Sequence, residues 1–295
     1  MDTANDKALQ RFAELMIEKI KQVEDNWQKP WFGIKGGGLP QNIEGRTYNG
    51  VNSFMLFLLS EKEQYSLPVY MTFMQAKDSG LNILKGEKSF PVIYWNFSVR
   101  DKNGKKIPFD VYKNLDKNEQ QEYKVTPFLK TYNVFNVQQT NLQETKPEKW
   151  EALKEQFKIP AIKDEQGMLT VPLIDAMVRE QQWICPIYSK EGNGAYHARG
   201  EENHIVVPLK GQFKDGENFY STLLHEMAHS TGEPEHLNRE KGVIFGDTQY
   251  AKEELVAELT SATVGQSLGI STYIREENAM YLKNWLGALK EDPKF

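Results

Sequence analysis

The sequence predicts an α+β fold in two domains, and two kinds of pattern lead to this prediction. Residues 7–24 carry apolar side chains at helical spacing, whereas residues 82–97 and 130–137 are rich in the β-branched and aromatic side chains typical of strands. Two long helical patterns, at residues 218–232 and 248–269, dominate the second half. We therefore expect helices and strands in the first domain and mainly helices in the second.

The distribution of charge also divides the chain. Residues 1–145 contain 19 Lys and Arg against 17 Asp and Glu, and residues 146–295 contain 17 against 24. We expect an N-terminal α+β domain over residues 1–145, a polar connector over residues 146–170, and a mainly helical domain with a small sheet over residues 171–295. Only the slightly basic first half suits an anionic partner.

The elements of the first domain follow from local patterns. We expect helices over residues 7–24, 52–64 and 72–79, strands within residues 82–97 around a turn at 85–87, and a strand over residues 130–137. Residues 27–50, rich in glycine, aromatic rings and cations, are expected to form a loop that offers exposed side chains. The charged residues 100–124 are expected to be an insertion.

The second half begins with helical patterns and then a strand. We expect a short helix near residues 148–157 in the connector, a helix near 172–182, a strand ending at 204–208 and a final helix over 272–291. His197 and His204 are expected to be surface residues of strands. The two long helices lie between this strand and the final helix.

An HExxH motif, His225-Glu226-Met227-Ala228-His229, lies in the first long helix. Residues four apart share one face of a helix, so both imidazoles can hold the same cation. Glu226 lies about 100° round the helix, where its carboxylate can reach a water molecule on that cation without being a ligand. Asn218 can cap the start of this helix, and Gly232 can end it. This spacing favours zinc-activated hydrolysis.

A catalytic zinc ion needs a third protein ligand, and the second long helix offers several acids. Thr248 can cap this helix and Gly269 can end it. Glu254 and Glu258 share a face, so we expect Glu254 to be the ligand and Glu258 to orient a histidine ligand from behind. Glu253 is the alternative ligand, because a shift of one residue in helix phase would turn it towards the metal.

The resulting hypothesis is peptide hydrolysis at Zn²⁺. The three predicted ligands are His225, His229 and Glu254. Zinc lowers the pKa of a water molecule, and Glu226 takes its proton as general base and returns it to the leaving amine. Tyr250 is expected to stabilise the oxyanion, with His236 and Arg239 as alternatives chosen for their sequence proximity.

A set of residues in the first domain mixes cations with flat rings. Its members are Lys29, Trp31, Arg46, Tyr48, Lys85, Lys88 and Trp95. This combination is typical of proteins that hold single-stranded nucleic acid by phosphate contacts and base stacking. These residues are therefore candidates for DNA contact, and the alternative is that the aromatic members belong to a core.

Other classes of protein are disfavoured. The single cysteine, Cys185, excludes an internal disulfide, and its apolar neighbours favour a buried thiol. The longest apolar run, residues 54–59, is too short to span a bilayer, and the N-terminus lacks a signal pattern. No second carboxylate cluster suggests a two-metal primase or nuclease. We expect a cytoplasmic protein that does not bind membranes.

Motifs in both halves make the chain resemble the ArdC-type antirestriction proteins. In the first half these motifs are Gly45-Arg46-Thr47-Tyr48-Asn49-Gly50, Tyr70-Met71-Thr72-Phe73-Met74-Gln75-Ala76, Lys85-Gly86-Glu87-Lys88 and Val134-Phe135-Asn136-Val137-Gln138-Gln139-Thr140. In the second half they are Asn203-His204-Ile205-Val206-Val207-Pro208, residues 219–232, Leu237-Asn238-Arg239 and residues 250–258. The motifs occur in the family's order and cover most of the chain.

The resemblance implies an N-terminal domain that binds single-stranded DNA and a C-terminal zincin-like metallopeptidase domain. It also implies a protein of conjugative plasmids or other mobile elements that protects incoming DNA from restriction. Glu233 and His236 depart from the family pattern, which usually has a histidine and then a basic residue at these places. In zincins an edge strand beside the active site holds an extended peptide, and residues 204–208 resemble that strand. A second function stays open, in which the protein is a DNA-binding shield whose metal site is structural or dormant.

Overall fold

The computed structural model describes residues 3–26, 29–33, 36–239, 248–274 and 278. The α-helices in these residues are α1 (Ala4–Asp25), α2 (Val51–Glu63), α3 (Phe73–Asp78), α4 (Phe109–Lys113), α5 (Lys117–Gln120), α6 (Leu142–Thr145), α7 (Pro147–Gln156), α8 (Pro172–Arg179), α9 (Gly216–Ser230) and α10 (Thr248–Leu268). The strands are β1 (Gln41–Asn42), β2 (Val69–Thr72), β3 (Phe90–Asp101), β4 (Lys106–Ile107), β5 (Tyr123–Asn136), β6 (Ile162–Lys163), β7 (Leu169–Thr170), β8 (Ile187–Lys190), β9 (Tyr196–Ala198) and β10 (His204–Pro208).

The strands form separate sheets in the two halves. A five-stranded sheet has the order β1-β2-β5-β3-β4, a three-stranded sheet has the order β8-β10-β9, and β6 pairs with β7. Helices pack on these sheets, so the predicted α+β fold is confirmed. No helix in the described residues is long and apolar enough to cross a membrane.

One hydrophobic core is shared by both halves of the chain. Buried residues of α1, α2 and the five-stranded sheet pack with Ala251 and Ala262 of α10. Partly buried Leu255 and Leu259 of the same helix pack against this core. One side of α10 therefore lies in the core of the N-terminal half.

The glycine-rich run is part of this junction, and the expectation of an exposed loop is wrong for its central residues. The N–H of Gly37 donates to the carbonyl of Phe157 at 2.9 Å, and that of Gly38 donates to Ser267 of α10 at 2.8 Å. A side chain at Gly37 would have its Cβ only 1.5 Å from Cδ1 of Ile159. Glycine lets the backbone approach its neighbours this closely.

The strands of the first half differ from the prediction. Residues 82–89 form no strand, because their partner is a turn at residues 137–140, which they meet in a single bridge between Ile83 and Thr140. β3 and β5 pair without interruption from Phe90 opposite Val134 to Asp101 opposite Tyr123. Both strands thus continue into the charged segment that was expected to be an insertion.

Two local expectations in the second half are corrected and one is confirmed. Asp215, rather than Asn218, caps α9, since its side chain accepts from the N–H of Asn218 at 2.8 Å. The strand at residues 204–208, β10, is the central strand of its sheet, and the antiparallel edge strand is β9. Gly269 follows α10 with a φ of 72°, the left-handed conformation typical of a helix stop. The predicted final helix lies outside the described residues except for residues 272–274 and 278.

Candidate metal centre

Helix α9 carries the HExxH motif and is buried on nearly all sides. Its sequence is apolar enough for this, with Phe219, Leu223, Leu224 and Met227 in one core. Burial on all sides fixes the orientation of a helix, because any rotation would expose apolar surface. The polar side chains of the motif are thereby held inside the protein.

Helix α10 crosses beside α9 and supplies carboxylates. The Ser261 hydroxyl donates to the carbonyl of Ser221 at 3.1 Å, which links the two helices. Glu254 is only 6% exposed, and Glu253 and Glu258 are also buried. Buried carboxylates of this kind need partners for their charge.

Three side chains converge at one point between the helices. His225 Nε2 lies 3.0 Å from His229 Nε2 and 3.3 Å from Glu254 Oε2, and His229 Nε2 lies 3.5 Å from Glu254 Oε1. Ligands about 2.0–2.1 Å from a tetrahedral ion are separated by about 3.3 Å, so this triangle fits one ion. His225, His229 and Glu254 are the candidate metal-holding group among the described residues.

The outer nitrogens of both imidazoles face carboxylates. His229 Nδ1 lies 3.2 Å from Glu253 Oε1, and His225 Nδ1 lies 3.6 Å from Glu258 Oε1. A proton on each Nδ1 would donate towards its carboxylate, which leaves both Nε2 lone pairs directed at the same point. Two lone pairs only 3.0 Å apart repel unless a metal ion or a proton lies between them. The donor set therefore fits a divalent ion.

Glu253 is directed away from this point and is held by Arg239. The Arg239 guanidinium donates to Oε1 at 2.8 Å and to Oε2 at 2.9 Å, and also to the carbonyl of Ala228 at 2.9 Å. Glu253 and Glu254 are adjacent on a helix and point about 100° apart, so only one of them can face the ion. The geometry favours Glu254 as ligand, and Glu253 takes the position behind His229.

Asn278 joins the two carboxylates that face His225. Its Nδ2 donates to Glu254 Oε2 at 2.8 Å and to Glu258 Oε1 at 2.9 Å, and the residue is 1% exposed. This contact could not be predicted from the sequence, because Asn278 lies 20 residues after Glu258 and no local pattern connects them. The ion pair between Arg239 and Glu253 also has no local signal in the sequence.

The ionisation of these groups is strongly perturbed. Burial alone would lower the pKa of His229, but hydrogen bonds to Glu253 and Glu254 raise it to about 9. Burial raises the pKa of Glu253, and the stronger opposing contacts with Arg239 and His229 bring it down to about 2. Contacts with both histidines also outweigh burial at Glu254 and lower its pKa. Negative charge thus collects around the two imidazoles.

The remaining predicted residues of this half take different positions. Glu226 is buried at 2% exposure beside the two histidines, as its place in the motif requires. Tyr250 is partly buried and packs against the shared core, four residues before Glu254. His236 is exposed, and Arg239 is committed to Glu253. The roles of Glu226 and Tyr250 stay predictions.

Glu233, which departs from the family pattern, lies beside the edge strand. Its Oε2 accepts from the N–H of Gly200 at 3.3 Å, and its Oε1 lies 4.0 Å from Nδ1 of His197. His197 belongs to β9, and its side chain is only 2% exposed. The His197 side chain is therefore buried, contrary to the expectation of a surface residue, and its Nε2 lies 2.9 Å from Oδ1 of Asn203.

The structure divides the candidate DNA-binding residues into two groups. Trp31 and Tyr48 are 1% and 4% exposed and belong to the core, so the prediction that their rings stack on bases is corrected. The exposed members are Lys29, Arg46, Lys85, Lys88 and Trp95. Glycine and aromatic content alone could not distinguish a core aromatic residue from a surface one.

Known protein families match both halves of the chain. Residues 6–135 match the N-terminal domain of the anti-restriction factor ArdC, and residues 174–295 match a zincin-like metallopeptidase. The crystal structure of the antirestriction protein ArdC from plasmid R388 without metal is similar, with a TM-score of 0.66 and 27% identity over 96% of this chain and 90% of that one. The Mn(II)-bound structure of that protein gives a TM-score of 0.65 at 26% identity.

Curated relatives extend the comparison. Two proteins named DNA primase TraC, both from Escherichia coli, are 33% and 32% identical to the chain over 96% and 95% of its length. The chain spans only 25% and 18% of those proteins. The uncharacterized protein y4eC of Sinorhizobium fredii (strain NBRC 101917 / NGR234) is 26% identical, and the match covers 97% of the chain and 85% of that protein.

The fold and the site together define a two-part α+β protein whose second half is a zincin-like metallopeptidase domain. The N-terminal match and the solved structures give the family. The chain belongs to the ArdC-type antirestriction proteins.

Proposed function

We propose that the protein binds single-stranded DNA through its N-terminal half and hydrolyses peptide bonds at a divalent metal centre in its C-terminal half. The observation that carries the peptidase proposal is the triangle of His225 Nε2, His229 Nε2 and a Glu254 oxygen, with sides of 3.0–3.5 Å. Zinc is the metal we propose, because two imidazoles and one carboxylate leave a fourth tetrahedral position open. The Mn(II)-bound ArdC of plasmid R388 supports a divalent ion.

The chemistry follows from the side chains around that position. A bound divalent ion supplies Lewis acidity and lowers the pKa of water. Glu226, adjacent to His225 and buried, takes the proton of the attacking water and returns it to the leaving amine. Glu253 and Glu258 hold the imidazoles in one tautomer and orientation. Tyr250 remains our proposed donor to the oxyanion.

The substrate we propose is an extended polypeptide. β9 is the edge strand of its sheet, antiparallel to β10, and it packs close to α9. A peptide can pair with the free edge of such a strand and so lie along the helix that carries the motif. The proposal thus moves the peptide-holding role from β10 to β9.

The match to the ArdC N-terminal domain supports binding of single-stranded DNA. Exposed Arg46, Lys85 and Lys88 are our candidates for phosphate contacts, with Lys29 and Trp95. A protein with these properties would act in antirestriction, during the entry of a mobile element into a new cytoplasm.

A second function has an observation in its favour. His225, Glu226, His229 and Glu254 are each at most 7% exposed, so the site offers little surface to a polypeptide. A structural or dormant metal site in a DNA-binding shield would account for this burial. The two functions predict different effects of replacing Glu226: a peptidase would lose its activity, whereas a DNA-binding shield would keep its protective function.

The Glu226→Gln variant tests the peptidase. We expect it to bind as much zinc as the wild type, measured by metal analysis, and to lose hydrolysis of fluorescein-labelled casein. Glu217→Gln, in the first turn of the same helix, is the matched control and should retain both. Equal casein cleavage by the Glu226 variant would refute the mechanism. DNA protection that survives Glu226→Gln would favour the shield.

A further inference from the structure

The paired strands β3 and β5 extend beyond the rest of their sheet. The last pair between β2 and β5 is Thr72 with Val134, whereas β3 and β5 continue together to Asp101 and Tyr123. Beyond Val134 the two strands therefore form a ribbon, to which β4 adds near the tip and on which Asn5 of α1 donates to the carbonyl of Leu129 at 2.9 Å. Directly opposed residues in an antiparallel pair project to the same side, so the register assigns every side chain to one of two faces.

One face of the ribbon is apolar and partly covered. Phe97 stacks on Phe109 of α4 with ring centroids 4.4 Å apart, and Val99 is 1% exposed. Tyr123 meets Tyr112 on this side. Trp95 lies on the same face and is 68% exposed. The short helices α4 and α5 thus give the ribbon a small core of its own.

The opposite face, which we call the basic face, has a different composition. Its members are Tyr94, Asn96, Ser98, Arg100, Lys106, Lys124, Thr126, Phe128, Lys130 and Tyr132. It contains four cations and no acid. Arg100 lies between Lys124 and Lys106 on neighbouring strands, so three positive charges form a row across the tip.

The four cations form no ion pair in the described residues, although Arg100 donates one hydrogen bond to the carbonyl of Gly104 at 2.9 Å. Arg100, Lys106, Lys124 and Lys130 are all exposed. Asp101, which follows Arg100 in the chain, projects to the other face by its register with Tyr123. Unpaired positive charge on a surface without acids creates a potential that attracts an anion.

Aromatic rings lie among these cations. Tyr94 and Tyr132 meet edge to face with centroids 5.7 Å apart, and Lys130 Nζ lies 4.7 Å from the Tyr132 ring. Phe128 is 45% exposed and stands opposite Asn96. An apolar ring on a polar face offers a surface for stacking, which a partner that binds by charge alone would not use.

We propose that single-stranded DNA lies along the basic face, with phosphates on the cations and a base on Phe128. The inference rests on the proposed DNA binding and assigns it to a surface. From Tyr94 to Arg100 the face is about 20 Å long, at about 3.3 Å per residue. A duplex hides the faces of its bases, so the exposed ring favours a single strand. Trp95 lies on the opposite face of the ribbon, so this assignment removes it from the candidate DNA contacts.

The test compares two pairs of lysines on the same ribbon. Lys124→Gln with Lys130→Gln removes two of the four cations of the basic face, and Lys113→Gln with Lys117→Gln makes the same charge change on α4 and α5. Binding of the full-length variants to fluorescent oligothymidine is measured by anisotropy across a salt series. Each phosphate contact contributes about 0.7 to the slope of log affinity against log salt for single strands. We expect the first pair to reduce the slope by about 1.4 and the control pair to leave it unchanged.

A third variant tests the ring. Phe128→Ala should weaken binding by about tenfold at constant slope, since stacking on one base contributes on the order of 1–3 kcal/mol. Its melting temperature shows whether the ribbon still folds.

If the wild type does not bind oligothymidine, the proposed DNA-binding function itself fails. If it binds but both lysine pairs behave like the wild type, only the assignment to the basic face is overturned. If a duplex of equal length binds as tightly and Phe128→Ala has no effect, the preference for a single strand is wrong.

Discussion

Replacing Glu253 with glutamine tests how the protein prepares His229 to bind a metal. In the folded protein Glu253 Oε1 faces His229 Nδ1 at 3.2 Å while both carboxylate oxygens accept from Arg239. Glutamine has nearly the same shape but carries no charge, so it accepts a weaker hydrogen bond from the imidazole. It also leaves the partly buried guanidinium of Arg239 without a counter-charge. The Nε2 lone pair of His229 should become a poorer and less well-oriented donor.

The expected size of this effect follows from the position of Glu253 behind a ligand. Loss of a carboxylate that supports a metal-binding histidine typically weakens metal affinity by about 10–100-fold, or about 1.4–2.8 kcal/mol. Since Glu253 is 3% exposed and contacts both His229 and Arg239, we expect a value in the upper part of that range. Glu254→Gln should weaken binding further, because it replaces a ligand rather than a support.

Competition between the protein and a chelator of known affinity, with Zn²⁺ and with Mn²⁺, measures the change. Glu235→Gln is the matched control, since this acid is exposed and follows His229 by six residues. The reasoning is refuted if the Glu253 variant holds zinc as tightly as the wild type and the control. A variant that loses zinc affinity but melts at the wild-type temperature without metal would show that the effect is on the site rather than on folding.

Two further predictions concern stability. Burial lowers the pKa of His229, but Glu253 and Glu254 raise it to about 9, which is above the unfolded value of about 6.5. Protonation of His229 therefore stabilises the metal-free protein, and this contribution is fully present below about pH 6.5. This contribution, up to about 3 kcal/mol, is lost as the pH rises through 9. Thermal unfolding in the presence of a chelator should show the decline, and a melting temperature that stays constant from pH 6 to 9.5 would contradict the prediction. Gly216→Ala should lower the free energy of unfolding by about 1–3 kcal/mol, because its Cβ would lie 2.5 Å from the Leu169 carbonyl oxygen. Gly211→Ala, where nothing lies within 4 Å, is its control in the same denaturant titration.

Helical periodicity explains why much of the metal centre could be predicted. His225 and His229 are four residues apart on one helix, and Glu254 and Glu258 are four apart on another, so local geometry already placed each pair on one face. The choice between Glu254 and Glu253 could not be made in this way. It depends on the angle at which α10 crosses α9 and on Arg239, which binds the carboxylate of Glu253.

The N-terminal half was harder to predict from the sequence, because the type of a residue does not determine whether it is buried. Trp31 and Tyr48 have the chemistry of a stacking platform, but they fill the core between α1, α2 and the sheet. The strand ends within the charged residues 100–124 were also not predicted, since Arg100 pairs with Lys124 and Asp101 with Tyr123, more than 20 positions away in sequence. Register between distant strands, rather than composition, separates the basic face from the apolar face.

By itself, the sequence determined the fold class, the family resemblance, the motif helix and the residues able to hold a metal. These features depend on spacing within single helices and on short motifs, which are local properties of the chain. The tertiary structure alone decided that Glu253 supports His229, that Asn278 joins two carboxylates, that β9 is the edge strand and that α10 is shared by both halves. The reason is physical: each of these contacts joins residues far apart in the chain, and packing and strand register fix them only after the helices and sheets have assembled.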